Sequence, residues 1–348
     1  MAERLSIGVI GVGHLGAHHA RILSQSSRWN LAGVFDADAA RNREVSAQYH
    51  LPPCASADEM IARCDAAVVC TPTDSHFALA SAAIRAGIHV FVEKPLVATN
   101  EQAAQLQELL VAHRVTGAVG LIERFNPAVL AVRGQIESPR FIEVHRLNAF
   151  SPRGLATDIV LEVMIHDIDL ARWLVGEEPS EIRAAGVPVL SETDDIANCR
   201  LAFPGGCVAN LTASRISTSP MRKLRVFSVN RYTSIDLQSK TAETYRLFDE
   251  GESVLPTTYA PVASWHGRAI GRHSADVPDA NALEAELDDF HSAIVEGRNP
   301  RVGVADGARS LKVALAVADA CREAAQIARA SALIIEKQPN RMNENITK

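Results

Sequence analysis

The chain has 348 residues, 47% of them hydrophobic, and a formal net charge of −6 at pH 7. Such a composition is typical of a folded globular protein and excludes an extensively disordered chain. A chain of 348 residues is longer than a typical domain with a single hydrophobic core, so two domains are predicted. The mild negative charge gives no electrostatic reason to expect nucleic acid or an acidic membrane as a partner.

The six cysteines form no Cys-x-x-Cys pair and no zinc-like spacing, so no metal site is predicted. Their usage favours a reducing cytoplasm over secretion. No apolar run is as long as a membrane span, and residues 1–4 lead directly into a predicted strand. We therefore expect a cytoplasmic protein with neither a membrane segment nor a signal peptide. The polar residues 336–348 predict a frayed tail.

Residues 1–121 alternate short β-branched runs with helical patterns. Parallel strands are predicted at Ser6–Ile10, Leu31–Phe35, Ala66–Cys70, His89–Glu93 and Thr116–Gly120. Helices are predicted between them at Leu15–Ser26, Ala37–Gln48, Ser75–Ala86 and Asn100–His113. This alternation indicates a doubly wound α/β domain of the Rossmann type. In such a sheet, ligands bind beyond the carboxyl ends of the strands.

The pattern changes after residue 121. A helix is predicted over Leu161–Leu174, and alternating polar and apolar residues predict several strands. These strands are Glu181–Val187, Ile196–Phe203, Cys207–Thr212 and Leu224–Val229. They indicate an α+β domain with an open, mainly antiparallel sheet. Residues 249–281 predict a long surface excursion, and two helices follow it, at Ala282–Glu296 and Asp306–Ala328.

A glycine fingerprint, Gly11-Val12-Gly13-His14-Leu15-Gly16, follows the first predicted strand. Gly11 permits the tight turn, Gly13 lets a pyrophosphate approach the backbone, and Gly16 lets helix and strand pack closely. The free N–H groups of the following helix favour a bound phosphate. The spacing alone also occurs in glycine turns that bind no nucleotide.

Asp36 ends the second predicted strand about twenty residues beyond Gly16. A carboxylate there accepts hydrogen bonds from the adenosine ribose hydroxyls, and no arginine directly follows it to shield a 2′-phosphate. The cofactor predicted is therefore NAD rather than NADP. Thr71-Pro72-Thr73, after the third strand, either borders the cofactor's ribose or diphosphate or simply starts the next helix.

Lys94 follows the fourth predicted strand and precedes Pro95, in an extended segment. A lysine here can hydrogen-bond a substrate hydroxyl and, near a positive nicotinamide, hold a lowered pKa suited to proton transfer. The alternative is an ordinary solvated lysine.

His166 lies on a helix whose polar stripe also carries Asp158, Glu162, Asp169 and Trp173 at 100° per residue. Carboxylates either side of a histidine can orient the imidazole and tune its pKa. The alternative is a capping or surface histidine on an acidic helix face.

Several ordered motifs together resemble the glucose–fructose oxidoreductase/inositol dehydrogenase (Gfo/Idh/MocA) family. They are the glycine fingerprint, Thr71-Pro72 with His76, Glu93-Lys94-Pro95-Leu96, and Glu162-x-x-x-His166-Asp167-Ile168-Asp169-Leu170. The resemblance covers essentially the whole chain. It implies a Rossmann domain at 1–121, a substrate-binding and oligomerisation domain at 122–335, and NAD(P)-linked oxidation of sugars or cyclitols.

The resemblance places the family's catalytic lysine on Lys94 and its helix histidine on His166. The family's acidic residue, usually aspartate, falls on Glu162, which is a departure. We also expect a set of residues to border the cofactor: Thr71, Pro72, Thr73, His76, Glu93 and Lys94.

A narrower resemblance concerns three segments: Glu123-Arg124-Phe125-Asn126-Pro127, His145-Arg146-Leu147 and Ser151-Pro152-Arg153. They are similar to a branch of the family whose bacterial members oxidise UDP-N-acetylglucosamine at C3 for a partner aminotransferase, toward a 3-amino sugar of lipid A. A UDP-sugar needs cations for its diphosphate, and Arg124, Arg146 and Arg153 are candidates. For each arginine taken alone a surface salt bridge is the favoured alternative, so the prediction rests on the cluster and on the resemblance.

The predicted substrate-binding residues are those of the three segments and the helix: Lys94, Glu123, Arg124, Phe125, Asn126, Arg146, Arg153, Asp158 and His166. The resulting hypothesis is an NAD-dependent dehydrogenase, with Lys94 or His166 as the base and Glu162 as a tuning group. Alternatives are a dehydrogenase of free sugars or inositol, a non-catalytic NAD-binding sensor, and a lyase or glycosidase that uses NAD internally.

Overall fold

The computed structural model describes residues 4–150, 157–252 and 258–336, with side chains described as far as residue 330. The first sheet contains β1 (Leu5–Ile10), β2 (Trp29–Phe35), β3 (Ala66–Val69), β4 (His89–Glu93) and β5 (Gly117–Gly120). Its helices are α1 (His14–Gln25), α2 (Ala39–Gln48), α3 (Ala57–Ile61), α4 (Thr73–Arg85) and α5 (Asn100–His113). All strand pairs are parallel, in the order β2-β1-β3-β4-β5. The predicted Rossmann domain is confirmed.

The second sheet has nine strands. They are β6 (Phe141–Leu147), β7 (Glu181–Val187), β8 (Ile196–Ala202), β9 (Val208–Ser214), β10 (Met221–Ser228), β11 (Arg231–Asp236), β12 (Thr241–Leu247), β13 (Ala260–Trp265) and β14 (Arg268–Ser274). The order is β13-β14-β12-β11-β10-β6-β9-β8-β7. Only the β6–β9 pair is parallel among these described strands, so the sheet is mainly antiparallel as predicted.

Helices pack on one face of this second sheet and enclose its core. They are a 3₁₀ turn (Ile122–Phe125), α6 (Pro127–Arg133), a π turn (Val160–Met164), α7 (Ile165–Val175) and α9 (Val304–Glu336). The core contains Ile142 and Val144 of β6 together with Ile168 of α7 and Val317 of α9. None of the helices in the described ranges is long and apolar enough to cross a membrane.

The chain returns to the first domain in α8 (Ala282–Glu296). The Phe290 ring of α8 lies 5.7 Å from the Trp29 ring and 5.9 Å from the Phe91 ring. The Trp29 indole also donates a hydrogen bond to the Leu287 carbonyl at 3.2 Å. Residues predicted to belong to the second domain therefore complete the core of the first.

The stretch at 249–281 lies largely at the surface, as predicted, but it contains the β13–β14 hairpin, which was not predicted. All residues of β13 are exposed, so the strand has no alternation of polar and apolar residues to reveal it. The strands β6, β11 and β12 were also not predicted. The predicted helix over 161–174 is a π turn followed by α7.

Buried ion pairs attach α7 to the sheet and to the 3₁₀ turn. Arg146 of β6 lies 2.7 Å from Asp167 and 2.9 Å from Glu123. Arg124 makes a bidentate pair with Asp169, with N···O distances of 2.7 Å and 2.6 Å. All five side chains are buried. Bidentate pairs of this kind hold an element in one orientation, so they fix the start of α7.

We predict that Arg146→Met destabilises the fold by about 3–5 kcal/mol, because Asp167 and Glu123 would stay buried without their cation. Urea unfolding measures the loss. The matched control is Arg225→Met, which removes the half-exposed pair of Arg225 with Glu143 at 2.8 Å and should cost less than about 1 kcal/mol. Equal stability losses in the two variants would contradict the role of the buried network.

Candidate active site

The glycine loop between β1 and α1 has the geometry that the fingerprint predicts. Gly11 adopts φ +85°, and its N–H donates to the Phe35 carbonyl at 2.8 Å. A Cβ on Gly16 would lie 1.8 Å from the Gly11 carbonyl oxygen. Helix α1 can therefore begin against this turn only because residue 16 has no side chain.

Gly13 leaves open space at the start of α1. It occupies the N-cap position without a side-chain cap, and a Cβ there would meet no atom within 4 Å. Gly13, His14 and Leu15 are all exposed. The first N–H groups of α1 and the positive end of its dipole thus suit a diphosphate, and the residues present fit a dinucleotide.

Asp36 lies beside this loop at the end of β2. Its Oδ2 accepts the Val12 N–H at 2.8 Å, and its Oδ1 accepts the Asp38 N–H at 2.9 Å. Arg41, which the sequence analysis did not select, donates from Nε to the Val12 carbonyl at 2.8 Å and pairs with Glu44. Asp36 therefore lies at the strand end where a ribose ligand is required.

His76 joins the loop after β3 to the loop after β4. It is buried, with Nε2 2.7 Å from the Thr71 carbonyl oxygen and Nδ1 2.9 Å from the Pro95 carbonyl oxygen. Both neighbouring atoms are backbone carbonyl oxygens, so His76 links the two loops; its contact with the cofactor stays a prediction. Pro72 is the N-cap of α4, so the Thr71-Pro72-Thr73 turn does start the helix; its contact with the cofactor stays a prediction.

Lys94 lies directly after β4 and reaches the second domain. Its Nζ donates a hydrogen bond to the Glu162 carbonyl oxygen at 2.6 Å. Burial lowers the pKa of Lys94 from its ordinary value, while the Glu93 and Glu162 carboxylates act in the opposite direction. The ammonium is thus held against the π turn that precedes His166, in an environment that eases release of its proton.

His166 is the second residue of α7 and is partly buried. Burial lowers the pKa of its imidazole well below the ordinary value, and the positive charges of Lys94, Arg146 and Arg222 lower it further. Its Nδ1 is buried and has no hydrogen-bond partner among the described residues. A neutral imidazole beside Lys94 can accept a proton from a hydroxyl group.

The carboxylates of the acidic residues before His166 make local hydrogen bonds. The Asp158 carboxylate accepts the Val160 N–H at 2.7 Å, and the Glu162 carboxylate accepts the Thr157 hydroxyl at 2.6 Å. Because Val160–Met164 is a π turn, the predicted stripe at 100° per residue does not run through it. Glu162 contacts Lys94 through its carbonyl group and influences the lysine pKa through its charge.

Five predicted substrate residues are buried in the second domain: Glu123, Arg124, Phe125, Asn126 and Arg146. Both guanidiniums are paired with carboxylates, and Asn126 donates to Glu123 at 2.9 Å. This corrects the expectation that Arg124 and Arg146 offer available cations to a diphosphate. Arg153, the third predicted cation, lies outside the described residues.

A further cation, Arg222, was missed by the sequence analysis. It lies on β10 directly opposite Arg146 of β6, and its charge lowers the pKa of His166. Its side chain is exposed. Only the pairing register of β10 reveals this position, since nothing in the local sequence distinguishes Arg222 from other strand arginines.

A buried acid–imidazole group lies at the end of β4 and was also missed. His19 Nε2 lies 2.7 Å from a Glu93 carboxylate oxygen, and Cys70 Sγ is within 4.8 Å of both ligand atoms. Glu286 of α8 is buried, and neither of its carboxyl oxygens has a partner within the described ranges. Burial raises the pKa of Glu286 well above its ordinary value, and the Glu93 charge raises it further. Burial also raises the pKa of the Cys70 thiol, so the neutral forms of Glu286 and Cys70 are favoured.

Comparison with known proteins identifies the family. Residues 5–121 match the Gfo/Idh/MocA oxidoreductase family model with its NAD-binding Rossmann fold, and residues 128–230 match the family's C-terminal domain. The chain is 37% identical over 311 residues to UDP-N-acetylglucosamine 3-dehydrogenase of Acidithiobacillus ferrooxidans, covering 89% of this chain and 95% of that protein. The chain belongs to the Gfo/Idh/MocA family. It is an oxidoreductase that uses a nicotinamide cofactor, as predicted.

Other similarities agree with this family membership. A solved structure of the A. ferrooxidans protein superposes with a TM-score of 0.84 at 36% identity, covering 92% of this chain and 99% of that one. An inositol 2-dehydrogenase of Rhizobium meliloti is 32% identical over 195 residues, 53% of this chain and 59% of the relative. The predicted fold class of this Gfo/Idh/MocA protein, a Rossmann sheet followed by a mainly antiparallel sheet, is confirmed.

We predict that Gly13→Ala weakens NAD binding about tenfold or more while the fold stays intact, because the new methyl group would occupy open space where a diphosphate approaches. Calorimetric titration with NAD and a thermal melt measure the two effects. Gly134→Ala is the matched control, since a Cβ there also meets nothing within 4 Å. Unchanged NAD affinity in Gly13→Ala would place the diphosphate elsewhere.

We predict that Glu286→Gln makes stability less dependent on pH. The raised pKa means that the folded protein keeps the Glu286 proton at pH values where the unfolded chain has lost it. Stability is therefore greatest below the unfolded pKa and falls, by up to about 1.4 kcal/mol per pH unit, as the pH rises toward the folded pKa. The neutral amide removes this loss.

Urea unfolding at about pH 5 and about pH 8 tests this difference. The exposed Glu284 of the same helix provides the control variant Glu284→Gln, which should follow the wild type. If Glu286→Gln also follows the wild type, the carboxyl group does not hold its proton in the folded protein.

Proposed function

We propose that this protein is an NAD-dependent dehydrogenase that oxidises the C3 hydroxyl of UDP-N-acetylglucosamine to a 3-keto nucleotide sugar. The observation that carries the proposal is the Lys94–Glu162 hydrogen bond of 2.6 Å, which holds Lys94 beside the turn leading to His166. Support for the substrate comes from the 37% identity, across 95% of its length, to a protein named for that activity.

His166 is the proposed proton acceptor. Its lowered pKa keeps the imidazole neutral near pH 7, so it can take the C3 hydroxyl proton. The cofactor, when bound, accepts the hydride from C3. A base of this kind must be unprotonated before reaction, and burial of His166 next to Lys94 and Arg146 provides that state.

Lys94 is the proposed hydrogen-bond donor to the reacting oxygen. A buried ammonium stabilises the negative charge that develops on that oxygen as its proton leaves. Its lowered pKa also lets Lys94 exchange this proton with His166 or the substrate. Glu162 positions Lys94 through its carbonyl group and supports its charge through its carboxylate.

NAD rather than NADP is the proposed cofactor. Asp36 and Asp38 follow one another closely at the end of β2, and a 2′-phosphate would meet their negative charges. Arg41 lies near this corner, but its guanidinium is engaged by the Val12 carbonyl and Glu44. Tighter binding of NADP than of NAD would contradict the assignment.

We further propose a homo-oligomer formed through the outer face of the second sheet. Four aromatic rings, Phe141, Phe227, Tyr232 and Tyr245, form a row there with successive centroid distances of 5.7, 4.8 and 6.0 Å. Stacked rings on a face without helices suit contact with a second copy. A monomer in light scattering at working concentration would contradict this assembly.

The proposed product suits a cytoplasmic sugar aminotransferase that converts the ketone to the 3-amino sugar used in lipid A. All six cysteines are free, which fits a reducing compartment. Cell fractionation tests the location, and the coupled assay described below tests the aminotransferase.

Oxidation of a free sugar or inositol is a second candidate, favoured by the similarity to an inositol 2-dehydrogenase. That similarity spans 53% of this chain, about the length of the Rossmann domain and the start of the second. A non-catalytic sensor is disfavoured by the presence of both Lys94 and His166 at one junction.

The substrate proposal is tested by incubating the protein with NAD and a panel of UDP-sugars, free hexoses and inositols while following reduced nicotinamide. Ketone formation from a secondary alcohol is uphill near neutral pH, so each reaction is repeated with a carbonyl trap or a sugar aminotransferase. UDP-N-acetylglucosamine should give the greatest turnover. Reaction of free polyols alone, even with the trap, would overturn the proposal.

Lys94→Ala and His166→Ala should each lower turnover by roughly 10²-fold or more, because each removes a group that acts on the reacting hydroxyl. NAD binding should be retained in both. The control variants are Lys312→Ala and His113→Ala, which change exposed residues of the same types. Near-normal turnover in either active-site variant would remove that residue from the mechanism.

A further inference from the structure

Arg222 is an arginine whose position the buried ion pairs do not explain. It is directly opposite Arg146 in the antiparallel pairing of β10 with β6. Directly opposed residues of neighbouring strands point to the same face of a sheet. Leu224 and Val226, which share that face, are buried in the core beneath the helices. Arg222 therefore projects to the side where α7 and His166 lie.

The carboxylates near Arg222 are already used by Arg146. Asp167 makes hydrogen bonds to Arg146 at 2.7 Å and 3.0 Å, and Glu123 makes one at 2.9 Å. The exposed Arg222 side chain makes no hydrogen bond or ion pair in the part of the chain that the structure describes. Arg146 is thus in direct contact with two carboxylates, whereas Arg222 opposite it feels their charges only at a distance.

The charge of Arg222 acts on the candidate site. It is close enough to His166 to lower the pKa of that imidazole, together with Lys94 and Arg146. Desolvation lowers the pKa of Arg222 itself and repulsion from Arg146 lowers it further, while the charges of Glu123 and Asp167 act in the opposite direction. The guanidinium is therefore partly enclosed although the side chain as a whole is exposed. Such a cation at a cleft attracts an anion.

An arginine in this position is unfavourable for the fold alone. Like charges directly opposite one another on adjacent strands destabilise a sheet, and Glu123 and Asp167, which are bound to Arg146, relieve the repulsion only from a distance. A residue that destabilises its local structure, with no stabilising contact in compensation, is typical of a functional position. The missing partner of Arg222 is then a negative charge brought by the substrate.

We propose that Arg222 binds the diphosphate of the substrate and so selects a nucleotide sugar over a free sugar. This inference rests on the proposed function, in which a diphosphate is attached at C1 of the sugar, a short distance from the reacting C3. A guanidinium makes bidentate hydrogen bonds to phosphate oxygens that a neutral hexose cannot offer. Arg222 thus has the role, as the cation that binds the diphosphate, that the sequence analysis assigned to Arg124 and Arg146.

UDP and uridine are the probes that test this role. We expect the wild type to bind UDP more tightly than uridine, and Arg222→Gln to lose about 10- to 100-fold in UDP affinity with little change for uridine, as for removal of a hydrogen bond to a charged group. Arg222→Lys should be intermediate, because it keeps the charge without the bidentate geometry. Calorimetric titration measures all these affinities.

The fold and the cofactor site provide the controls. Arg222→Gln should melt at the wild-type temperature or above it, since it removes repulsion from Arg146, and should bind NAD normally. Arg85→Gln is the matched control: it changes an exposed arginine at the end of α4, on the edge of the Rossmann sheet opposite the strands' carboxyl ends. Its UDP affinity should equal that of the wild type.

The role of Arg222 would be overturned if the wild type bound UDP no more tightly than uridine. It would also be overturned if Arg222→Gln kept the wild-type preference for UDP, or lost affinity for UDP and uridine equally. An unchanged KM for UDP-N-acetylglucosamine in Arg222→Gln would do the same. Failure of the wild type to oxidise UDP-N-acetylglucosamine is a separate result, because it rejects the proposed function while the UDP titrations still report on the anion site.

Discussion

The hydrogen bond from Lys94 Nζ to the Glu162 carbonyl oxygen, 2.6 Å long, joins the two domains at the point where the chemistry is proposed. Lys94 comes from the carboxyl end of β4, and Glu162 belongs to the π turn before α7. Burial at this junction lowers the pKa of the lysine, and the lysine charge helps to lower the pKa of His166. One contact between domains thus positions the proposed donor, and the lysine charge adds to the effect of burial in favouring the neutral imidazole of the proposed acceptor.

This contact requires α7 to keep one orientation, and the buried ion pairs hold α7 in place. Arg146 holds Asp167 and Arg124 holds Asp169, one and three residues after His166 on α7. Such pairs contribute orientation more than net stability, because desolvation offsets much of the Coulomb attraction. Their second effect is on charge. Glu123 and Asp167 make their direct contacts with Arg146, so the exposed side chain of Arg222 on the same face of the sheet has no directly bound carboxylate among the described residues.

The parts of the site that depend on local sequence were predictable. The turn at Gly11, the packing of Gly16 and the position of Asp36 follow from the spacing of a strand, a tight turn and a helix. The roles of the arginines were not. Whether Arg124 or Arg146 is paired depends on Asp169 and Asp167, and this is decided by how α7 packs on β6. Strand β13 gives no periodic pattern in the sequence because it has no buried face. The π turn at 160–164 gives none because its angle per residue differs from the 100° of an α-helix.

By itself, the sequence determined the Rossmann fold, the dinucleotide loop, the family and the two residues, Lys94 and His166, on which the proposed reaction depends. Each of these features depends on a short motif, whose geometry is fixed by residues close together in the chain. Only the tertiary structure decided which cations are neutralised, that α8 completes the first domain, and that Lys94 contacts the turn before His166. Each of these depends on contacts between residues far apart in the chain, whose partners and register are set when the two sheets and their helices pack together.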